Sequence, residues 1–399
     1  MLALDRIYHA AYVLKGVARK TDLIAAPHLV PGIGDLYLKT ENLQVTGSFK
    51  LRGASYKISQ LPKGDLERGI IACSAGNHAQ GVALAATHMG VRSIVCMPDG
   101  APIMKVESTR RLGAEVRLVK GSYDDAHDEA VRLQEKTGAT LIHPYDDEDV
   151  ICGQGTIGLE IMDQLEGVDA VVVPVGGGGL ISGVACAVKS LKPSCQVFGV
   201  QAAGASAMAE SFRRGDWYAS DTASTFADGI AVKNPGEITF QMVRKYVDDI
   251  VTVSDDEIAA AILNLMERQK VVAEGAGAVP VAAAMFDKLP LAGKRVVCVV
   301  SGGNIDVNIL SRVINRGLAM SGRKVTMEIR LTDKPGQLQQ VSTIIAELGA
   351  NVVSVDYDLS DPDLPISSCT LRVGMETRDQ AQIDQIRAKL VGEGFALVG

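Results

Sequence analysis

The sequence is poor in the residues on which several kinds of macromolecular binding depend. Aromatic residues make up 4% of the 399 residues and include a single tryptophan, so the base-stacking platforms that hold single-stranded nucleic acid are not expected. The formal net charge is −7, whereas binding to a phosphate backbone needs clustered lysine and arginine. A small polar metabolite is therefore the expected partner, and nucleic acid is not.

Paired cysteine motifs are missing from the sequence, and so are long apolar runs. The seven cysteines contain no C-x-x-C pair, and most stand beside valine, isoleucine or alanine, as small buried apolar side chains do. This usage favours a reducing compartment and argues against a disulfide framework or a zinc site. No apolar run approaches the ~20 residues that span a bilayer, and Asp5 and Arg6 interrupt the segment where a signal peptide would be apolar. We expect a cytoplasmic protein without a membrane segment.

Between about residues 70 and 300, short runs rich in β-branched residues alternate with longer helical patterns. Several runs, such as AVVVPV and RVVCVV, are almost wholly apolar, which indicates burial on both faces. The alternation predicts an α/β fold with a mostly parallel sheet covered by helices and with ligands at the carboxyl ends of the strands. The predicted strands are Ile70–Cys73, Ser93–Met97, Glu115–Val119, Ala170–Val175, Gln196–Val200, Ile250–Val253 and Arg295–Val300. The predicted helices include Ser122–Lys136, Leu180–Leu191, Asp255–Gln269 and Ile305–Ala319.

The last quarter of the chain has a different pattern. Val325–Leu331 alternates apolar and polar residues, a turn follows at Asp333–Gly336, and two helices and further strands carry apolar residues on one side. One-sided strands predict a sheet with helices on a single face, in the ferredoxin-like order βαββαβ. Arg312–Lys324, which holds two glycines and four basic residues, is the predicted linker. The apolar strand positions are Val353, Val355 and Tyr357, then Cys369, Leu371 and Val373, and finally Phe395–Val398.

A run of glycines follows one apolar strand and opens the helix at Leu180; it consists of Gly176, Gly177, Gly178 and Gly179. Without Cβ atoms, these residues let backbone N–H groups approach an anion at a helix N-terminus, so the run predicts a phosphate site; a flexible turn is the simpler alternative. A dinucleotide site should show an acidic residue after the next strand. Gln201–Gly204 occupies that place, and no Walker motif occurs. The phosphate is therefore expected to belong to a cofactor of mononucleotide size.

Lys50 lies between Phe49 and a helix-forming stretch, within the segment Thr46–Gly53. A lysine in a partly apolar pocket can lose its proton near neutral pH, which makes it a competent Schiff-base nucleophile. Most lysines are solvated surface residues, and the spacing alone does not distinguish Lys50 from the others.

Two further turns fall at strand ends. The first joins a predicted strand to a helix, offers backbone donors suited to a carboxylate, and consists of Ser74, Ala75, Gly76, Asn77 and His78. His78 is a candidate general base, although a histidine in a turn is more often a structural hydrogen-bonding group. Ser301 begins the second turn, and its hydroxyl either faces a cofactor ring or caps the next helix.

Together these segments resemble the threonine dehydratase (threonine ammonia-lyase) family of fold-type II pyridoxal-phosphate enzymes. The C-terminal part resembles an ACT regulatory domain, through the turn Asp333–Leu338 and the order βαββαβ. The first resemblance covers about residues 1–320 in family order. The segments that carry it are ENLQVTGSFKLRGA (41–54), SAGNHAQG (74–81), GQGTIGLEI (153–161), GGGGLISG (176–183), ADG (227–229), EGAGA (274–278) and SGGNID (301–306).

The resemblance implies a role for each matched residue. Lys50 would hold pyridoxal 5'-phosphate as a Schiff base with Phe49 beside the ring, and would later remove the Cα proton of the substrate. Asn77 would hydrogen-bond the phenolic oxygen of the cofactor, and Ser301 would face its pyridine nitrogen. A hydroxyl does not favour a protonated pyridine as a carboxylate does, which favours rapid β-elimination. The cofactor phosphate would help the hydroxyl to leave and would be held by Gly176, Gly177, Gly178, Gly179 and Leu180. The substrate carboxylate would be bound by Ser74, Ala75, Gly76, Asn77 and His78.

Two departures narrow the choice within the family. Serine racemases are similar to this chain but carry a second serine, the acid–base group of the opposite face, where Ala75 stands. They also bind a divalent cation through acidic side chains after the strand that corresponds to Gln196–Val200. The matching stretch here, QAAGASA at residues 201–207, has no carboxylate, so no metal is expected.

The sequence thus predicts a two-lobed catalytic domain at residues 1–322 and an ACT regulatory domain at 323–399. The expected reaction is the conversion of L-threonine to 2-oxobutanoate and ammonia, with L-serine to pyruvate as a lesser activity. A serine racemase or hydroxyaspartate dehydratase is the alternative within the family. A non-catalytic amino-acid sensor is the alternative from another class, against which the retention of Lys50 and Ser301 argues. A homo-oligomer, dimer or tetramer, with an amino-acid or nucleotide effector is expected.

Overall fold

The structure is a computed structural model that describes residues 3–359 and 365–398. The chain divides into two compact units, Met1–Asp306 and Val307–Gly399. The strands are β1 (Leu23–Ala25), β2 (Asp35–Thr40), β3 (Ile70–Cys73), β4 (Ser93–Pro98), β5 (Glu115–Val119), β6 (Thr140–Leu141), β7 (Ala170–Pro174), β8 (Gln196–Ala202), β9 (Asp249–Val253), β10 (Arg295–Val300), β11 (Lys324–Thr332), β12 (Asn351–Asp358), β13 (Ser368–Glu376) and β14 (Ala396–Val398).

Most of the remaining chain is helical. The α-helices are α1 (Leu4–Val13), α2 (Lys50–Ser59), α3 (Lys63–Arg68), α4 (Asn77–His88), α5 (Ile103–Arg111), α6 (Tyr123–Thr137), α7 (Glu148–Gln164), α8 (Gly179–Leu191), α9 (Ala207–Arg214), α10 (Glu237–Tyr246), α11 (Asp255–Asn264), α12 (Gly275–Met285), α13 (Val307–Met320), α14 (Gln337–Glu347) and α15 (Gln380–Gly392). Single turns of 3-10 helix lie at Glu41–Leu43, Ala203–Ala205 and Asp228–Ile230, and a π-helical turn lies at Leu265–Gln269.

The first unit contains two sheets, which confirm the predicted α/β architecture. One sheet has the strand order β1-β2-β10-β7-β8-β9 and the other β5-β4-β3-β6. Every neighbouring pair is parallel except β1 and β2. The seven strands predicted in this region are all present, with ends that agree within two residues.

The apolar strands in the middle of the larger sheet are covered on both faces, as their composition predicts. On one face, Val171 and Val173 of β7 pack with Ile181 and Val184 of α8. On the other face, the Cys298 thiol of β10 lies 3.6 Å from the backbone oxygen of Pro280 in α12. This two-sided burial fixes the sheet and leaves its strand ends as the edge where a site can form.

The predicted linker at Arg312–Lys324 is wrong, because helix α13 continues through it to Met320. A glycine inside a helix costs only about 1 kcal/mol, and Gly317 lies in the helix with its backbone buried. The helix ends at Met320, and Gly322, two residues further on, has a φ of +67° and donates its N–H to the oxygen of Ala319. Of the two glycines in this stretch, only Gly322 marks the end of α13.

In the second unit, the antiparallel sheet has the order β12-β13-β11-β14, and its core contains apolar residues of α14 and α15. This is the predicted order βαββαβ. Val353 and Val355 are 47% and 49% exposed, because β12 is an edge strand with a register shift between Val352 and Ser354. The third-strand residues Cys369, Leu371 and Val373 are buried as predicted. In the part of the chain that the structure describes, no helix is long and apolar enough to cross a membrane.

Candidate active site

A cavity of about 570 Å³ lies where β3, β7 and β10 of the first unit end. Every site residue that the sequence singled out lines this one cavity: Phe49, Lys50, Ser74, Ala75, Gly76, Asn77, His78, Gly176, Gly177, Gly178, Gly179, Leu180 and Ser301. The strands are separated by about 100 residues or more along the chain. The parallel topology therefore brings their carboxyl ends together.

The Lys50 side chain brings a buried amine into the cavity. Lys50 is the first residue of α2, and its Nζ donates a hydrogen bond of 2.7 Å to the backbone oxygen of Pro144. Its Nζ also lies 5.3 Å from the centre of the Phe49 ring. Burial lowers the pKa of Lys50 to about 8, against the opposing effect of the Glu274 carboxylate. A substantial fraction of the amine is therefore neutral, and nucleophilic, close to physiological pH.

The helix that carries Lys50 is fixed by a buried ion network on its far side. The Arg52 guanidinium is 1% exposed and donates to Glu41 at 2.8 and 2.9 Å and to Glu160 at 2.6 and 2.9 Å. Lys39, fully buried, donates to the same Glu160 at 2.6 Å. Because these pairs join α2 to β2 and α7, they hold the first turn of α2, and with it Lys50, in one place.

The glycine run places two backbone N–H groups at the start of helix α8. The oxygen of Gly177 accepts from Thr239 Oγ1 at 2.6 Å, and the oxygen of Gly178 accepts from the N–H of Ser182 at 3.0 Å. In a trans peptide the C=O and the following N–H point in opposite directions. The N–H groups of Gly178 and Gly179 therefore point away from these donors, at the N-terminus of α8. Such an arrangement suits a phosphate.

Tyr145 explains why this turn needs glycine. A Cβ on Gly179 would lie 2.9 Å from Cα, Cβ and the backbone oxygen of Tyr145, and a Cβ on Gly177 would overlap the tyrosine ring. The ring is held by a hydrogen bond of 2.9 Å from its hydroxyl to the oxygen of Asn234. Gly178 adopts a φ of +97°, a conformation that residues with a Cβ rarely adopt. The close approach and the positive φ are incompatible with the larger side chains.

Asn77 and Glu274 form the polar wall of the cavity. Asn77 Nδ2 donates to Glu274 Oε1 at 2.7 Å, and Asn77 Oδ1 accepts from Asn304 Nδ2 at 2.9 Å. Glu274 is 4% exposed, and burial, with a smaller contribution from Asp228, raises its pKa to about 7. The carboxyl group is thus poised to change charge near neutral pH.

His78 lines the cavity, but its contacts are those of a structural residue. The imidazole Nε2 lies 2.9 Å from the oxygen of Ile142, and burial lowers the pKa of His78 to about 3. The neutral ring that this implies donates to the carbonyl through Nε2. These contacts favour the structural role over a general base.

Ser301 is 2% exposed and follows β10 directly. Its backbone oxygen accepts from the N–H of Phe49 at 3.1 Å, and the next residue, Gly302, forms an isolated antiparallel bridge with Ser48. The structure thus places the end of β10 beside Phe49 and Lys50. Ser301 does not cap α13, which begins only at Val307.

Sequence reasoning gave no role to several charged residues of the cavity, among them Glu274, Lys105 and Asp228. Glu274 stands in EGAGA, a segment that carries the family resemblance. Its hydrogen bond with Asn77 is visible only in the structure, because 197 residues separate the two along the chain. Lys105 of α5 and Asp228 form an ion pair between separate parts of the chain, in which the Lys105 side chain is 15% exposed. No local signal predicts this pair, because 123 residues separate its members.

These groups satisfy the requirements of a phosphorylated aldehyde cofactor. Lys50 supplies an amine of which a substantial fraction is neutral near physiological pH, and the glycine run supplies N–H donors at a helix N-terminus. Asn77 supplies an amide donor and Ser301 a hydroxyl in the same cavity. Tyr145 lies so close to Gly177 and Gly179 that this loop has no room for side chains. A phosphate can therefore approach the backbone of the loop directly, which is why these residues fit the cofactor.

Comparison with known proteins agrees with this chemistry. The chain is 51% identical over 397 residues to an L-threonine ammonia-lyase of Thermotoga maritima, covering 99% of this chain and 98% of the relative. The processed threonine deaminase isoform 2 of Solanum lycopersicum has a similar structure, with a TM-score of 0.74, 38% identity and coverage of 78% and 86%. Maize serine racemase has a TM-score of 0.75, 34% identity and coverage of 80% and 98%. Residues 14–302 match the model of the pyridoxal-phosphate dependent enzymes, and the chain belongs to that family.

Proposed function

We propose that this protein is a pyridoxal-phosphate-dependent threonine ammonia-lyase. It converts L-threonine to 2-oxobutanoate and ammonia, and L-serine to pyruvate as a lesser activity. The observation that carries the proposal is the meeting of Lys50, Asn77, the glycine run and Ser301 in one cavity. An L-threonine ammonia-lyase that is 51% identical over nearly the whole chain supports the choice of substrate.

Each group of the cofactor has a residue to hold it. Lys50 would form the covalent link, the N–H groups of Gly176–Leu180 would bind the phosphate, and Asn77 would donate to the phenolic oxygen. Ser301 would face the pyridine nitrogen. The bound cofactor supplies an electron sink that stabilises negative charge at Cα of the substrate.

The chain supplies the proton transfers and the orientation. Lys50 Nζ, whose pKa burial lowers to about 8, is a suitable base for the Cα proton near neutral pH. The oxygen of Pro144, which now accepts from Nζ at 2.7 Å, keeps the amine on the cavity side of α2. β-Elimination removes the Cα proton and the β-hydroxyl of the substrate, which together make up one water molecule, so the proton that Lys50 takes is not returned to Cα.

The turn between β3 and α4 would orient the substrate. Ser74–His78 carries backbone N–H groups at a helix N-terminus, which suit a carboxylate. Within it, the N–H of Gly76 donates to Ser74 Oγ at 3.1 Å, which shapes the loop around the cavity. Binding the carboxylate here would place Cα of the substrate next to Lys50.

Racemisation is disfavoured by Ala75, which lines the cavity and has no proton to donate. A racemase needs an acid on the face of Cα opposite the lysine. The similarity to maize serine racemase makes this alternative worth a direct test. Incubation with L-serine should therefore give pyruvate and ammonia, and D-serine formation as fast as elimination would favour the racemase.

The function is tested with a panel of hydroxy-amino acids. L-Threonine, L-serine and 3-hydroxyaspartate are each incubated with the cofactor-loaded enzyme, and keto acid and ammonia are measured together. We expect L-threonine to give the highest kcat/KM, with equal amounts of the two products. A higher kcat/KM for 3-hydroxyaspartate, or no ammonia from any substrate, would contradict the proposal.

We further propose that residues 323–399 form an ACT regulatory domain and that residues 1–322 form the catalytic domain. The support is the order βαββαβ, with the sheet order β12-β13-β11-β14. In the turn after β11, Gly336 has a φ of +94° and precedes the first turn of α14. The N–H groups there can receive the carboxylate of an amino-acid effector.

A truncated chain tests this regulatory role. One variant ends at Gly322, the proposed boundary, and a second at Asp306, where the first compact unit ends. We expect elimination to persist in the variant that ends at Gly322, and its response to amino-acid and nucleotide effectors to vanish. An unchanged effector response would place the effector site in the first unit instead.

The protein is also proposed to be a cytoplasmic homo-oligomer, a dimer or tetramer. All seven cysteines are free and buried, which suits a reducing compartment. Light scattering of the purified protein would determine the number of subunits.

A further inference from the structure

The side-chain amide of Asn77 has a hydrogen-bond partner on each of its two polar atoms. Its Oδ1 accepts from Asn304 Nδ2 at 2.9 Å, and its Nδ2 donates to Glu274 Oε1 at 2.7 Å. Asn304 Nδ2 also donates to the backbone oxygen of Thr46 at 2.8 Å. The three side chains form one chain of hydrogen bonds along the cavity wall.

The direction of this chain is fixed at both ends. The oxygen of Thr46 can only accept, so Asn304 must present its NH₂ group there and can present the same group to Asn77 Oδ1. An ionised carboxylate can only accept, so Asn77 must present its NH₂ group to Glu274. An amide nitrogen has two hydrogens, and Glu274 takes one of them. The other remains for a ligand in the cavity that Asn77 lines.

Glu274 is itself held in place. Its N–H donates to the oxygen of Gly302 at 3.0 Å, and it precedes the first residue of α12. A Cβ on Gly302 would overlap Glu274 Oε1, so the carboxylate lies directly against the turn that follows Ser301. Glu274 therefore joins the turns after β3 and β10.

We propose that Glu274 is a positioning residue for the cofactor: together with Asn304 it orients the amide of Asn77 so that one N–H faces the phenolic oxygen of the ring. This inference rests on the proposed function. Without the carboxylate, only the hydrogen bond from Asn304 would orient the amide, and the N–H that faces the ring would be held less firmly. Glu274 acts through Asn77 and needs no contact of its own with the substrate.

The charge of Glu274 also depends on its neighbours. Burial and the nearby Asp228 raise its pKa to about 7, whereas the hydrogen bond from Asn77 and the charges of Lys105 and Lys50 oppose this shift. When Glu274 is protonated, the hydrogen bond with Asn77 is no longer charge-assisted and weakens. Asn77 is therefore held more firmly above pH 7 than below it.

A double-mutant cycle on cofactor binding tests the proposal. Apoenzyme is titrated with pyridoxal phosphate, and the dissociation constant is obtained from absorbance for wild type, Asn77→Ala, Glu274→Ala and the double variant. Each single change should weaken binding about tenfold or more, the loss of one hydrogen bond to a charged group. The double variant should bind as Asn77→Ala does, because Glu274 acts only through Asn77.

Conservative variants distinguish a positioning role of Glu274 from a purely structural one. Glu274→Gln keeps an oxygen that accepts from Asn77, so it should restore most of the affinity while abolishing the pH dependence of the bound-cofactor spectrum near pH 7. Ser301→Ala is the matched control: Ser301 lines the same cavity but would face the pyridine nitrogen rather than the phenolic oxygen, so its effect on the dissociation constant should multiply with that of Asn77→Ala. If Glu274→Ala does not fold, Asn304→Ala takes its place in the cycle.

The outcomes are distinct. A double variant whose loss equals the product of the single losses would overturn the positioning role, as would a spectrum of Glu274→Gln that titrates as wild type does. A wild-type chain that binds no pyridoxal phosphate would overturn the proposed function itself, together with this inference.

Discussion

Replacing Gly178 by alanine should strain the glycine loop and weaken cofactor binding. Gly178 has a φ of +97°, and holding an alanine in that region costs about 1–2 kcal/mol. Its Cβ would lie 2.8 Å from Thr239 Cβ and 2.7 Å from Met208 Cε. Met208 can move, but Thr239 is fully buried and bonded to Gly177 and Gly236. Overpacking of this kind adds about 1–3 kcal/mol.

The sum, about 2–5 kcal/mol, is large beside a typical folding free energy of ~5–15 kcal/mol. We therefore expect the loop to shift and relieve the strain, which would move the N–H groups of Gly178 and Gly179 away from the phosphate. Losing one hydrogen bond to a charged group costs about 1.5–3 kcal/mol. The dissociation constant for pyridoxal phosphate should rise roughly 10- to 150-fold.

The assay is an absorbance titration of apoenzyme, with urea unfolding of the same samples. Gly215→Ala is the matched control, because Gly215 also has a positive φ, +73°, but its Cβ would meet no atom within 4 Å. The control should lose about 1 kcal/mol of stability and none of its affinity. Wild-type affinity in Gly178→Ala would refute the assignment of this loop to the phosphate.

Three other predictions concern the cavity and the buried ion network around Arg52. The rate at which apoenzyme captures pyridoxal phosphate should rise with pH through about 8, the pKa of Lys50, because only the neutral amine attacks. Stopped-flow absorbance measures this rate, and a rate that rises only towards pH 10 would contradict the prediction. Ser301→Asp should favour a protonated pyridine, slow elimination and produce a new long-wavelength absorbance; an unchanged rate and spectrum would show that Ser301 does not contact the ring. Arg52→Leu should lower the free energy of unfolding by about 3–5 kcal/mol, because it leaves Glu41 buried without its partner; urea unfolding within 1 kcal/mol of wild type would argue against the network.

Much of the catalytic fold could be predicted because its signals are local. The apolar run Ala170–Val175 and the glycines that follow it mark a buried strand and a helix entry within a few residues. Two-sided burial then implies parallel strands, and parallel strands imply a common edge for the site. The site residues predicted from separate segments accordingly line one cavity.

The features that were missed depend on contacts between distant residues. Glu274 meets Asn77 across 197 residues, and the Lys105–Asp228 pair is as non-local. The linker prediction failed for another reason: two glycines and several charges indicate a loop by composition, but α13 is an exposed helix that tolerates both. Only Val313 and Gly317 of this helix are buried, but its apolar residues recur at helical spacing, and the predicted helix Ile305–Ala319 already overlapped the predicted linker.

The central claim is that the chemistry begins at the amine of Lys50. The most direct measurement is reduction of the cofactor-loaded enzyme with sodium borohydride, followed by proteolysis and mass spectrometry of the peptides. We predict loss of the bound-cofactor absorbance and a stable pyridoxyl-phosphate adduct on the peptide that contains Lys50, absent from Lys50→Ala. An adduct on another lysine, or a spectrum that borohydride leaves unchanged, would contradict the account.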